Sequence, residues 1–161
     1  NNPMEKIKLP ILLIFILVLM MSCSEDGDNG QSGFSNAELV GTWVLVEVNL
    51  SSEVDVDGDG QASTNLMEEE DCVSGSLVFN ADTTYQFEQS SFTINSITNN
   101  RYYVDCTGTN LATGAWASDG SNVAFQGSSI LNSNFELMGG QLIWNKDEEL
   151  PGVSSYIYEK Q

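Results

Sequence analysis

The chain has 161 residues, 23 carboxylates against five lysines and arginines, and no histidine. A net charge of −18 at pH 7 excludes nucleic acid as a partner, because such binding depends on Lys and Arg neutralising phosphates, and it excludes adhesion to an anionic membrane surface by charge alone. The missing histidine removes the commonest general base and the commonest zinc ligand.

Met4 reads as the start, with 1–3 as an upstream extension. Lys6 and Lys8 precede an unbroken apolar run, Ile11 to Met21, which ends at Ser22-Cys23. A basic n-region, a short apolar h-region and a small residue before the cut make a secretory signal peptide over 1–22. The run falls short of the roughly 20 apolar residues that span a bilayer. Met20-Met21-Ser22-Cys23 resembles a bacterial lipobox. That resemblance implies cleavage before Cys23, a diacylglycerol on its sulfur, and a membrane held through lipid. After cleavage, Arg101, Lys146 and Lys160 are the only cations left beside 22 carboxylates. Residues 23–35 form a Gly- and Ser-rich tether without apolar period. Its acids, Glu25, Asp26 and Asp28, resemble an export tag that carries lipoproteins to the outer face of the outer membrane; an ordinary acidic linker is the other reading.

A domain is expected over 36–161. Val40 to Leu50 alternates, with Val44, Val46, Val48 and Leu50 on one face and Trp43 and Leu45 on the other. Leu77 with Phe79, then Tyr85 with Phe87, flank a turn at Asn80-Ala81-Asp82. Tyr102 to Asp105 is a candidate strand. Ser118 to Ser121 separates the runs Ala115–Ala117 and Asn122–Gln126. Gly139-Gly140 separates Phe135–Met138 from Gln141–Asn145, and a diglycine supplies the positive φ of a two-residue hairpin. Val153 to Glu159 closes the series. One short helix is expected, at Asn36 to Leu39 or within Asn65 to Asp71. Frequent turns without a long helical period predict an all-β antiparallel sandwich or barrel.

With Cys23 lipidated, Cys72 and Cys106 are an even pair in an oxidising compartment, which predicts a disulfide; two separate buried thiols are the alternative. The sharpest local motif is Asp55-Val56-Asp57-Gly58-Asp59-Gly60-Gln61. It reads as the first half of a calcium loop, with carboxylates at positions 1, 3 and 5, glycine at 6 and a backbone carbonyl at 7. Position 12 is Leu66 instead of an acid, so the ligand set Asp55, Asp57, Asp59, Gln61 and Glu69 requires Glu69 to fold back. The other reading is a solvated acidic loop. Arg101, the sole arginine, either clamps an anionic ligand at a barrel mouth or pairs with a nearby carboxylate.

The order of motifs is recognisable: Gly41-Thr42-Trp43, a cysteine before Leu77-Val-Phe-Asn-x-Asp-Thr-Thr-Tyr85, then Gly114-Ala115-Trp116, Val123-x-Phe125 and Met138-Gly-Gly-Gln-Leu-Ile-Trp144. This resembles the lipocalin-like domain lipoproteins of Gram-negative bacteria, over roughly Leu39 to Glu159. It departs at Thr83, where glycine is common after the turn aspartate, and in the acidic insertion after the first strand. The resemblance implies an up-and-down β-barrel of about eight strands with no assigned ligand. Such a barrel holds packed side chains or one small ligand. Trp43, Trp116, Trp144 and Arg101 are the pocket candidates; for Trp43 the competing reading is a plug that closes one barrel end. Without histidine, free thiol or Gly-x-Ser-x-Gly elbow, no enzyme is expected. Two functions remain. One is a small apolar or glycan ligand held in an envelope barrel. The other is a packed barrel whose loops touch another envelope protein.

Overall fold

The computed structural model describes residues 36–98, 101–146, 148 and 152–161. The signal peptide, Cys23 and the tether lie outside the described residues. A 3-10 turn at Asn36–Glu38 leads into β1 (Gly41–Val54), followed by β2 (Ser63–Asn65), a single helical turn α1 (Leu66–Glu69), β3 (Gly75–Phe79), β4 (Thr84–Ile97), β5 (Arg101–Ser118), β6 (Asn122–Gln126), β7 (Phe135–Met138), β8 (Gln141–Asn145) and β9 (Val153–Lys160). Both places expected for a short helix therefore carry one.

Strands β3 to β9 each pair with their neighbour in sequence. β1 pairs with β3 on one side and with β9 on the other, closing an eight-stranded antiparallel barrel. β2 is the extra strand, paired to the far end of β1 where β3 has stopped. The closing seam contains two irregularities. Leu45 faces Tyr158 and Glu47 faces Ile157, so Val46 is an extra residue on β1; Ser154 is the corresponding extra residue on β9. A bulge of this kind exchanges inward and outward faces. It corrects the alternation expected for this strand. Trp43 and Leu45 are buried on the same side as Val48 and Leu50, while Val44 and Val46 are only half-buried.

The interior is filled by aromatic rings. Phe79 packs edge-on to Trp116 and stacks on Phe125; Phe125 meets Tyr85 and Phe135; Phe135 stacks on Trp144 and Tyr158; Trp144 meets Phe87 and Tyr156. Ring centroids lie 4.9–6.1 Å apart, within the favourable range for edge and offset contacts. Gly114 makes this closeness possible on β5. A Cβ there would stand 1.8 Å from the Gln126 carbonyl oxygen and 3.0 Å from the Tyr85 ring.

The β4–β5 hairpin outruns its neighbours. It continues past β3 and β6 to its tip near Ile97 and Arg101, and bends where Thr107 is an extra residue between the Ser91–Gly108 and Phe92–Cys106 pairs. The sequence signals only Tyr102 to Asp105 here, because the intervening residues are mostly Ser, Thr and Asn. Beyond the bend, Phe92, Ile94, Tyr102, Val104 and Cys106 turn toward the core. The Cys72–Cys106 disulfide, with Cα atoms 6.4 Å apart, ties this hairpin to the segment before β3. Ser90 reinforces the tie: its hydroxyl donates to the Cys72 carbonyl and its amide to the Ser74 carbonyl.

The turns are built as their residues require. Gly139 and Gly140 have φ of 62° and 82°. Asp119 accepts from the Ser121 and Asn122 amides, which holds its carboxyl below its ordinary pKa. Thr83 has φ of 67°, the only positive value outside glycine among the described residues. This is the position where glycine would be the natural occupant, and the left-handed region costs a β-branched residue roughly 1–2 kcal/mol.

Three stability changes are expected by urea denaturation. Thr83→Gly should stabilise the domain by about 1 kcal/mol, because relief of the left-handed strain outweighs the added chain entropy. Gly114→Ala should destabilise it by about 3 kcal/mol or more, since the blocking atom is backbone. Removing both Cys72 and Cys106 should cost about 4 kcal/mol, the loop-entropy value for the 34-residue separation.

Candidate metal centre

β1 delivers its last core residue, Val54, and the chain then turns outward into the acidic loop. The loop folds through its own carboxylates. Asp55 accepts from the Gly58 amide at 2.8 Å, Asp57 from the Asp59 amide at 2.9 Å, and Asp59 from the Gln61 amide at 2.7 Å. Gly58 and Gly60 take the positive φ that lets the chain reverse. Arg101, at the hairpin tip, lies alongside: a Cβ on Gly58 would be 3.8 Å from its Nη2.

α1 returns to the loop. Asn65 caps it, accepting from the Met67 amide, and the same Oδ1 accepts from the Val48 amide in β1. Leu66 is fully buried, so the residue at position 12 of the calcium-loop pattern anchors the helix instead of offering a ligand. With Leu66 and Asn65 fixed, Glu69 points inward. It is buried, and its Oε2 accepts from the Val56 amide at 3.0 Å. Glu68 is drawn away by the Ser63 hydroxyl, 2.7 Å from its Oε2.

One carboxylate oxygen each from Asp55, Asp57 and Glu69 lie within 4.8 Å of one another. The required fold-back of Glu69 is therefore present in the structure. Asp59 does not join this group. The Asp59 carboxylate is engaged by the Gln61 amide and, at 3.1 Å, by its side chain. Three oxygens that close carry mutually repelling charge, and a hard divalent cation is the chemistry that such a set accommodates.

The three tryptophans are all buried, each with its indole N–H satisfied. Trp43 donates to the Leu39 carbonyl at 2.8 Å and so ties the residue after the 3-10 turn to β1. Trp116 donates to the Asn80 carbonyl and packs on Phe79. Trp144 donates to Ser133 Oγ at 2.7 Å and borders a cavity of about 230 Å3 at the mouth. The pocket candidates thus do not converge: Trp43 and Trp116 belong to the packed interior, and Arg101 stands at the acidic loop.

Of the residues around this cavity only Trp144 was a pocket candidate; Gln89, Asn110, Lys146, Glu148 and Tyr156 are among those not singled out for it. Lys146 Nζ sits 3.8 Å from the Trp144 ring centroid. Burial pulls its pKa down, with Glu148 opposing. Burial, then the Glu148 charge, push the Tyr156 phenol well up. Gln89 is buried and accepts from the Tyr158 hydroxyl. Its signal was available in the sequence: Gln89 continues the inward positions of Tyr85 and Phe87, so it is a polar residue on a core face.

A closed antiparallel barrel with a disulfide-tied hairpin is the class these features define. Residues 20–137 match the family described as a domain of unknown function (DUF5004), and the chain belongs to that family. No curated protein and no solved structure matches it.

The geometry predicts a local signature. Glu69→Ala removes the acceptor of the Val56 amide, so hydrogen exchange at Val56 should accelerate by about tenfold or more, with the barrel amides of β8 and β9 unchanged.

Proposed function

We propose that this is a lipid-anchored, lipocalin-like barrel of the bacterial outer membrane, displayed at the cell surface, whose packed interior is a scaffold and whose acidic loop is stabilised by calcium. It is not an enzyme, and it meets another envelope protein through its loops. The observation that carries this reading is the convergence of Asp55, Asp57 and the buried Glu69 on one point. Support for the anchor is the Ser22-Cys23 junction behind a short apolar run. The aromatic filling of the barrel supports a scaffold over a deep internal pocket.

A second reading, a ligand holder, draws support from the cavity beside Trp144. It confines the ligand to the mouth.

Calcium that binds the folded state alone raises stability by mass action. At an extracellular-type affinity of about 0.1–1 mM, roughly 5 mM calcium should add about 1–2 kcal/mol, read as a rise of a few °C in Tm. Magnesium should add less, because it requires tighter octahedral geometry. Glu69→Gln should reverse sign between conditions: more stable than the parent in chelator, less stable in calcium. Equal shifts from calcium, magnesium and sodium chloride of matched ionic strength would mean screening alone. Independently, Cys23→Ala should move the protein from the membrane to the soluble fraction; unchanged partitioning would remove the anchor.

A further inference from the structure

The mouth cavity is lined mainly by polar groups, although buried aromatic residues stand behind them. Gln89 and Asn110 contribute carboxamides, Lys146 an ammonium and Glu148 a carboxylate, beside Trp144 and Tyr156. This composition selects among ligand classes. An apolar chain would strip water from the ammonium, the carboxylate and both amides without replacing their hydrogen bonds. An anion would meet Glu148 and a chain of net charge −18. A cation would meet Lys146. A zwitterion would need both charges free, but Lys146 is held over the Trp144 ring and Glu148 Oε2 accepts from the Val153 amide at 3.1 Å.

A neutral hydroxyl-rich ring has none of these conflicts. Each hydroxyl both donates and accepts and needs no full counter-charge, so it suits the capacity these groups keep after their contacts with Trp144, Val153 and Tyr158: the ammonium N–H groups of Lys146, the second carboxylate oxygen of Glu148 and the carboxamides of Gln89 and Asn110. Its C–H faces suit the aromatic edges behind them. The volume, about 230 Å3, is below the ~300–1,000 Å3 of drug-sized sites, so one ring is the appropriate size.

From this we infer that the cavity beside Trp144 binds a single neutral sugar ring, as a monosaccharide or the end of a glycan. The inference rests on the ligand-holding reading above and names its ligand. Binding is read from the Trp144 indole N–H resonance while the lipid-free full domain is titrated with glucose, galactose, N-acetylglucosamine, leucine and hexanol. At least one sugar should give a saturable shift with Kd of about 1 mM, a range typical of a few hydrogen bonds at a small site. Asn110→Ala and Lys146→Met should each weaken it by about fivefold, the effect of losing roughly one hydrogen bond. Melting temperatures close to the parent's would show that both variants are folded.

Sugar binding that both variants leave unchanged would overturn this site. Saturation by leucine or hexanol but by no sugar would overturn the ligand class and keep the ligand-holding reading. No saturation by any of the five would overturn both.

Discussion

Everything in this molecule hangs on the seam between β1 and β9. It is the pairing that converts an open meander into a barrel by joining its two edges, and only the outer part of the β4–β5 hairpin projects past its neighbours. The extra residues Val46 and Ser154 keep both strands in register while β1 curls, so Trp43 and Leu45 face the same interior as Val48 and Leu50. From that interior the rest follows. The aromatic rings meet across it, and Gly114 leaves room for the Gln126 carbonyl and the Tyr85 ring. Beyond the seam, β1 ends at Val54, from which the acidic loop departs.

The acidic loop and the long hairpin are the additions to the barrel. The disulfide ties the hairpin to the segment following α1, and Asn65 ties α1 to β1, so the carboxylate group is built on fixed elements. This matters for a chain of such negative charge. Ordinary acidic residues are dispersed in solvent, but Asp55, Asp57 and Glu69 are held together against their repulsion. In the proposal above, a divalent ion would turn that repulsion into a stabilising contact.

Much of this was legible in the sequence, and the losses have physical causes. The strand series, the diglycine hairpin and the Cys72–Cys106 bridge rest on local chemistry, and each stands in the structure. So does the Glu69 fold-back, since the calcium-loop pattern demanded an acid that the spacing failed to supply. Thr83 stood out as a threonine where glycine is usual, and its positive φ gives the reason. Alternation failed in β1 because a bulge is invisible to a period of two. Of the outer half of the β4–β5 hairpin only Tyr102 to Asp105 was marked, because the Ser, Thr and Asn residues between its apolar positions read as turn and loop signals, and the pairing and bend that hold them in strands are not local. The mouth cavity draws on residues from distant strands, and only the inward-facing Gln89 could have announced it.

The central claim is that the acidic loop is a cation site. A crystal structure grown in millimolar calcium, with anomalous scattering to identify the ion, tests it most directly. The proposed site predicts a calcium peak about 2.3–2.6 Å from oxygens of Asp55, Asp57 and Glu69, with further oxygens completing the shell. A loop in which the three carboxylates stand apart, with no anomalous peak among them, would contradict it.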